Sequence, residues 1–251
     1  MLTPPEIARS LLAAGESKAR LPFGKMLLLA ILAGAYIALA GVGATAAAVT
    51  VESGSLAKLL SACVFPAGLS MVILAGSELF TGNCLMVMAL LERRITPAQL
   101  LRNWLTVYLG NAVGGAAVAA LAVYSHTASL FGDGLARSMV SIAESKAALG
   151  AGDAFLRGVL CNFLVCLAVW MAAASKRAEG KVIALFFPIL LFVLCGYEHC
   201  IANLYYLPAG AFAAAEYGME TTLTLAGCLK NLAAVTLGNL VGGAALGVGY
   251  R

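Results

Sequence analysis

Charge is what this sequence has least of: 11% of its 251 residues are Asp, Glu, Lys or Arg, against roughly 25% in an ordinary soluble domain. With 62% hydrophobic residues, that scarcity excludes a water-soluble domain and points to an integral membrane protein. Histidine is scarcer still, with only His126 and His199, and no HExxH pattern occurs, so little supports a metal-dependent enzyme. The seven cysteines lie in or beside apolar stretches without the paired spacing of a zinc site, and read as small buried hydrophobes. No metal and no cofactor is expected. Residues 1–25 lack the basic start, apolar centre and small-residue cleavage site of a signal peptide, so the whole chain is expected to be one membrane domain. The net charge of +4 reflects topology and gives no reason to expect a nucleic-acid partner.

Apolar length is what the sequence has instead. Uncharged runs cover 26–51, 59–77, 79–91, 103–132, 158–175, 182–197, 199–215 and 231–250, and a spanning helix needs about 20 apolar residues. Two pairs of runs abut at a single acid, Glu78 or Glu198, so eight runs reduce to six passes. Ahead of them, Ile7, Leu11 and Leu12 recur at helical spacing opposite Glu6, Arg9 and Glu16, with Pro4 and Pro5 at the start. This predicts a short interfacial helix. The chain thus divides into a cytoplasmic amphipathic segment, 1–25, and a six-helix membrane domain, 26–251.

Lysine and arginine resist translocation. Arg9, Lys18, Arg20 and Lys25, then Arg93, Arg94 and Arg102, then Lys176, Arg177 and Lys181, and finally Arg251 mark four cytoplasmic regions. The regions between them, including 133–157, mix signs and read as loops on the other side. Both termini are therefore expected inside.

The halves of the chain repeat. Displaced by 128 residues, positions 102–117 are identical to 230–245 at ten of sixteen places, including Gly110-Asn111 with Gly238-Asn239 and Gly114-Gly115 with Gly242-Gly243. A weaker echo joins 33–39 to 157–163. Three passes per half is an odd number, so the halves must be inverted in the membrane. The passes interrupted at Glu78 and Glu198 then meet near the midplane, where such proteins place a transport site. Bilayer hydrocarbon offers no partner to free backbone groups, so a broken helix survives only where protein or a water-filled cavity satisfies it. Thr81-Gly82-Asn83 offers a flexible glycine and two side chains for that purpose, and Pro66, Pro188 and Pro208 add irregularities. The repeated glycines read as close-packing faces. An acid or histidine at this depth marks passage of an ion, a proton or a polar solute.

Glu78-Leu79-Phe80-Thr81-Gly82-Asn83, Arg102-Asn103-Trp104, the run from Gly158 to Trp170 and Glu198-His199-Cys200-Ile201-Ala202-Asn203 resemble the formate/nitrite transporter family, in the same order and over nearly the whole chain. The resemblance implies an aquaporin-like, all-α fold assembled as a homopentamer in the cytoplasmic membrane of a prokaryote, with one pore per protomer. It also implies a periplasmic-side constriction of Phe65, Leu69 and Phe192, and a cytoplasmic-side one of Leu79, Phe80 and Val165. Thr81, His199 and Asn203 then supply polar groups between or beside the constrictions, and Lys146 a basic residue at the outer vestibule.

Taking a bare monovalent anion through apolar rings costs on the order of tens of kcal/mol in a Born estimate. A weak acid escapes that barrier if it is protonated first. His199 is the candidate proton relay, because imidazole exchanges protons near neutral pH. Lys146 would gather anions, Glu198 would hold the broken helix and orient His199, and Thr81 and Asn203 would offer hydrogen bonds. Formate is the leading solute, with nitrite and hydrosulfide next. A neutral-solute channel is the competing class, although paired Asn-Pro-Ala loops are absent. An intramembrane enzyme using Glu78, Glu198 and His199 is disfavoured.

Overall fold

A computed structural model describes residues 1–251, and every regular element in it is helical. In chain order these are α1 (Pro4–Ala19), α2 (Phe23–Ala48), α3 (Gly54–Val64), α4 (Pro66–Ala75), α5 (Phe80–Asn83), α6 (Val87–Leu91), α7 (Pro97–Tyr124), α8 (Gly134–Ala148), α9 (Ala151–Ala173), α10 (Ala178–Leu194), α11 (Cys200–Glu216) and α12 (Leu225–Gly249). Five helical stretches are long and apolar enough to cross a membrane: 23–48, 54–75 through the Phe65–Pro66 junction, 97–124, 151–173 and 225–249. Helix is the outcome the composition demands, because it pairs each backbone group within its own segment. Starts follow local chemistry. Thr96 accepts from the Gln99 N–H at 3.2 Å while Gln99 Oε1 accepts from the Thr96 N–H at 2.8 Å, with Pro97 in the first turn.

Both acids sit in breaks. Helix α4 stops at Gly76, whose φ of 77° is left-handed, and the chain resumes as helix at Phe80. Helix α10 stops before Gly196, φ 69°, and resumes at Cys200. The backbone freed at each break is bound by an asparagine from a neighbouring helix. Asn111 Nδ2 donates to the carbonyls of Ala30 (2.7 Å) and Glu78 (2.9 Å), and its Oδ1 accepts from the Phe80 N–H (3.0 Å). Asn239 repeats the pattern with Gly158 (2.8 Å), Glu198 (2.9 Å) and Cys200 (2.9 Å).

These bonds correct three sequence expectations. The side chains of Thr81 and Asn83 do not satisfy the broken backbone; Asn111 does. The echo between α2 and α9 runs at 128 residues, Ala30 matching Gly158, and not at the 124 that aligned 33–39 with 157–163. A slip of four residues keeps the same helix face, so Ala- and Leu-rich segments align almost equally well in either register. Finally, residues 134–148 form helix α8 where a loop was expected. Its buried residues Leu135, Ala136, Met139, Val140, Ala143 and Ala147 line one face.

Helix α1 is present as predicted from Ile7, Leu11 and Leu12, and that face meets protein. Ile7 is buried in a cluster with Leu85, Met88 and Trp170, and Leu11 and Leu12 pack against the same cluster. The small-residue faces pair α2 with α7 and α9 with α12. A methyl group at Gly114 would collide with the Ile31 carbonyl, and one at Gly242 with the Val159 carbonyl. Where these pairs meet, Tyr108 Oη and Thr236 Oγ1, 128 residues apart, hydrogen-bond at 3.1 Å.

Gly114→Ala and Gly242→Ala should each lower the stability of detergent-purified protein by about 1–3 kcal/mol through overpacking. Gly24→Ala, with nothing within 4 Å of the added carbon, should leave the thermal midpoint unchanged or raised. Asn239→Leu leaves the Glu198 carbonyl and the Cys200 N–H without a partner, and should cost about 3 kcal/mol, seen as a thermal midpoint well below that of the native chain.

Candidate functional site

Two cavities approach each other inside the bundle and share no lining residue. The larger, about 810 Å³, has Lys146, Glu198, His199, Phe65 and Phe192 on its wall. The smaller, about 490 Å³, has Lys18, Glu78, Asn83, Leu69, Val72 and Leu79. Phe65 meets Phe192 edge-on, with ring centroids 5.7 Å apart, and Phe192 stacks on the His199 imidazole at 5.8 Å. Leu79 and Leu69 are nearly fully buried on the other side. Between the cavities lies one polar contact, Thr81 Oγ1 to His199 Nε2 at 2.9 Å, with Thr81 wholly buried and His199 3% exposed.

The break before α11 orients this histidine. His199 occupies the N-cap position, and its Nδ1 accepts the Ala202 N–H at 3.1 Å. A nitrogen that accepts carries no proton, so the neutral ring holds its proton on Nε2, which donates to Thr81 Oγ1. The ring atom facing the gap between the cavities is the one with the exchangeable proton.

Each cavity has an ion pair built to one pattern, its glutamate buried and its lysine partly so. Lys146 Nζ donates to both Glu198 oxygens at 2.9 and 3.0 Å, Asn203 Nδ2 donates to Glu198 Oε2 at 2.7 Å and to Asn231 Oδ1 at 2.8 Å, and Asn231 Nδ2 donates to the Lys146 carbonyl at 2.9 Å. In the smaller cavity Lys18 donates to Glu78 Oε1 at 2.7 Å, and Asn83 Nδ2 donates to Glu78 Oε2 at 2.7 Å and Asn103 Oδ1 at 2.9 Å. Burying two such charges costs several kcal/mol per ion, offset only where further hydrogen bonds fill the remaining lone pairs. The asparagines supply those bonds.

The residues singled out in the sequence separate accordingly. Phe65, Phe192, Glu198, His199 and Lys146 come together on the larger cavity. Leu69, expected beside Phe65 and Phe192, lines the smaller cavity with Leu79. Thr81 contacts His199 from behind the walls. Asn203 lies behind Glu198 and lines neither cavity. Phe80 is buried against Tyr108 at 5.1 Å and Trp104 at 6.3 Å, and Val165 is 1% exposed; neither lines a cavity. Glu198 binds Lys146 and Asn203; Asn239 holds the break, and Ala202 and Thr81 orient His199.

Lys18, Asn103, Asn111, Asn231 and Asn239 were not foreseen as members of the site. The signal for them was available. Asn103/Asn231 and Asn111/Asn239 are the only polar identities in the repeat of α7 and α12, and repeated amides in apolar helices imply repeated bonding. The signal for Lys18 is a second repeat at the same spacing: 7–19 and 135–147 both read Ala-Arg-Ser near the start and Glu-Ser-Lys-Ala at the end. Helices α1 and α8 are therefore equivalents, bringing Lys18 and Lys146 to their glutamates. Of the paired acids, Glu16 binds Arg94 at 2.9 Å. Glu144 accepts from the Thr222 N–H and the Thr221 and Thr222 hydroxyls, and these bonds, the Thr222 N–H first, hold its carboxyl below the ordinary range.

Known proteins share this arrangement. The family model described as "Formate/nitrite transporter" matches residues 5–250. A "Probable formate transporter" of Methanothermobacter thermautotrophicus is 38% identical, over 96% of this chain and 93% of that protein. The "Formate channel FocA" of Haemophilus influenzae is 40% identical, over 85% of this chain and 81% of that one. Among solved structures, an "FNT family ion channel" superposes with a TM-score of 0.87 at 32% identity, covering 98% of each chain. A "Pentameric formate channel with formate bound" superposes at 0.80 and 32% identity, covering 90% of this chain and 94% of the other. With a family match from end to end, relatives near 40% identity and the same backbone, the chain belongs to the formate/nitrite transporter family.

Proposed function

We propose that this protein is a membrane channel for formate, moved with a proton, and the observation that carries the proposal is the buried Thr81–His199 contact closing the gap between two charged cavities. The relatives named for formate support the solute. The six passes, α2, α3 to α6, α7, α9, α10 with α11, and α12, form two inverted halves, each opened by its amphipathic helix α1 or α8. Both termini and the smaller cavity face the cytoplasm, the larger cavity faces the periplasm of a prokaryotic inner membrane, and five copies associate with one path in each.

Formate enters the larger cavity past Lys146, whose charge is matched by Glu198, and meets Phe65 and Phe192. A charged ion stalls there, because the rings offer no solvation. A neutral acid does not. His199 presents Nε2–H at this point, and Thr81, whose hydroxyl both accepts and donates, is the second partner. The pair holds the carboxylate by hydrogen bonds from His199 Nε2–H and the Thr81 hydroxyl while Nδ1 stays bound to Ala202. The proton that neutralises the anion comes from hydronium or water on the side of the larger cavity, since the ring keeps its own Nε2 proton. The neutral acid then crosses past Leu79 and Leu69, and dissociates beside Lys18 and Glu78.

The sign with pH follows. Lowering external pH supplies protons on the side of entry, so inward formate flux into proteoliposomes should rise. His199→Ala, which removes the donor and the N-cap acceptor, should reduce uptake by about tenfold or more and flatten its pH dependence, as expected for loss of a group positioned to hold the solute where it takes up its proton. Uptake that carries one net negative charge per formate and ignores pH would sink the proton-coupled reading. Phe192→Ala removes one ring from the Phe65–Phe192–His199 stack and should raise acetate flux relative to formate; the check is acetate against formate flux through the native and variant chains in matched vesicles.

A further inference from the structure

The larger cavity carries more charge than the proposed passage uses. Lys146 is matched by Glu198, but Lys58, Arg137 and Arg157 stand on the same wall. None of these three belongs to any ion pair in the molecule. The Arg137 guanidinium donates to the Gly132 carbonyl at 2.6 Å, and the Lys58 and Arg157 side chains make no hydrogen bond to protein. The smaller cavity, by contrast, has Lys25 as its one cation beyond the Lys18–Glu78 pair. Three hydroxyl groups, those of Thr50, Ser141 and Ser145, line the cavity together with these three charges and bond to no protein atom.

Like charges gathered around one water-filled space repel one another, and a monovalent anion relieves only part of that repulsion. An anion of charge −2 relieves twice as much from a single position, and its several oxygens match guanidinium, ammonium and hydroxyl donors together. Space is ample. At about 30 Å³ per water, a cavity of about 810 Å³ accommodates a tetrahedral oxyanion with much of its hydration shell.

We propose that the larger cavity is also a binding site for a divalent tetrahedral oxyanion of the sulfate or hydrogen-phosphate class, held by Lys58, Arg137 and Arg157, and that its occupant obstructs formate entry without crossing. It does not cross because Born desolvation scales with the square of the charge, about four times the barrier of a monoanion. One proton, moreover, leaves it still charged. Binding rests on the cavity's charges and hydroxyls and is independent of transport; obstruction rests on the transport reading above.

Equilibrium dialysis of labelled sulfate against the purified full-length protein tests the site. One saturable site per protomer is expected, displaced by hydrogen phosphate and about tenfold less effectively by methanesulfonate, which keeps the shape and loses one charge. Arg157→Gln and Lys58→Gln, exposed side chains with no partner to orphan, should each weaken binding about fivefold, and Arg157→Lys should restore most of it. Methanesulfonate competing as well as sulfate, or both glutamine variants binding as the native chain does, would overturn the site. In proteoliposomes with sulfate on both faces, formate flux should fall in the native chain and much less in Arg157→Gln. Flux unaffected at saturating sulfate would overturn the obstruction. If the native chain moved no formate at all, the transport reading would fail, and dialysis would still decide the site.

Discussion

Everything in this molecule depends on how two stretches of backbone are hydrogen-bonded where no water is at hand. A helix that breaks amid apolar neighbours frees N–H and C=O groups worth more than a typical native stability can lose. Asn111 and Asn239 take up that demand with three bonds each, drawing a carbonyl of the adjacent helix into the same amide. With the breaks made permanent, Glu78 and Glu198 are aimed into cavities, His199 becomes an N-cap, and Thr81 at the start of α5 reaches it. The close α2–α7 and α9–α12 pairs serve the same end, since an asparagine amide bridges helices only when their backbones nearly touch.

The division of labour between the acids and the amides explains why the site was only partly legible in the sequence. Glu78, Glu198 and His199 stood out because charge or imidazole in an apolar run is conspicuous. The roles of their neighbours were less so. Glu198 suggested itself as the partner of the broken backbone, yet a carboxylate only accepts, and the break at α11 needs a donor for the Glu198 carbonyl as well as an acceptor for the Cys200 N–H. An amide has both, so Asn239 takes that place and Glu198 is left for Lys146. The order of the apolar runs gave the helical class and the positions of the breaks. It did not give the register of α2 on α9, which apolar composition leaves degenerate by one turn, nor helix α8, whose alternating charges resembled a loop. For α1 the helix and its face of Ile7, Leu11 and Leu12 were legible, but the packing of that face on Leu85, Met88 and Trp170 was not.

Charge is distributed unevenly around this symmetric frame. The two lysine–glutamate pairs are near copies, down to the asparagine that crosses from carboxylate to second asparagine, and each is electrically matched. Beyond them the cavities part company, one with a single additional cation and the other with three. The repeated hydrogen bonds thus hold the two breaks alike, while side chains outside those positions give the two cavities different fields.

The bond between Tyr108 and Thr236 has a different kind of consequence. Positions 108 and 236 touch, and each is the other's image across the 128-residue repeat. A long side chain on one copy and a short one on the other meet through their hydroxyls, so the two halves differ at the place where they bond to each other. A change at either position therefore alters the surroundings of its own duplicate.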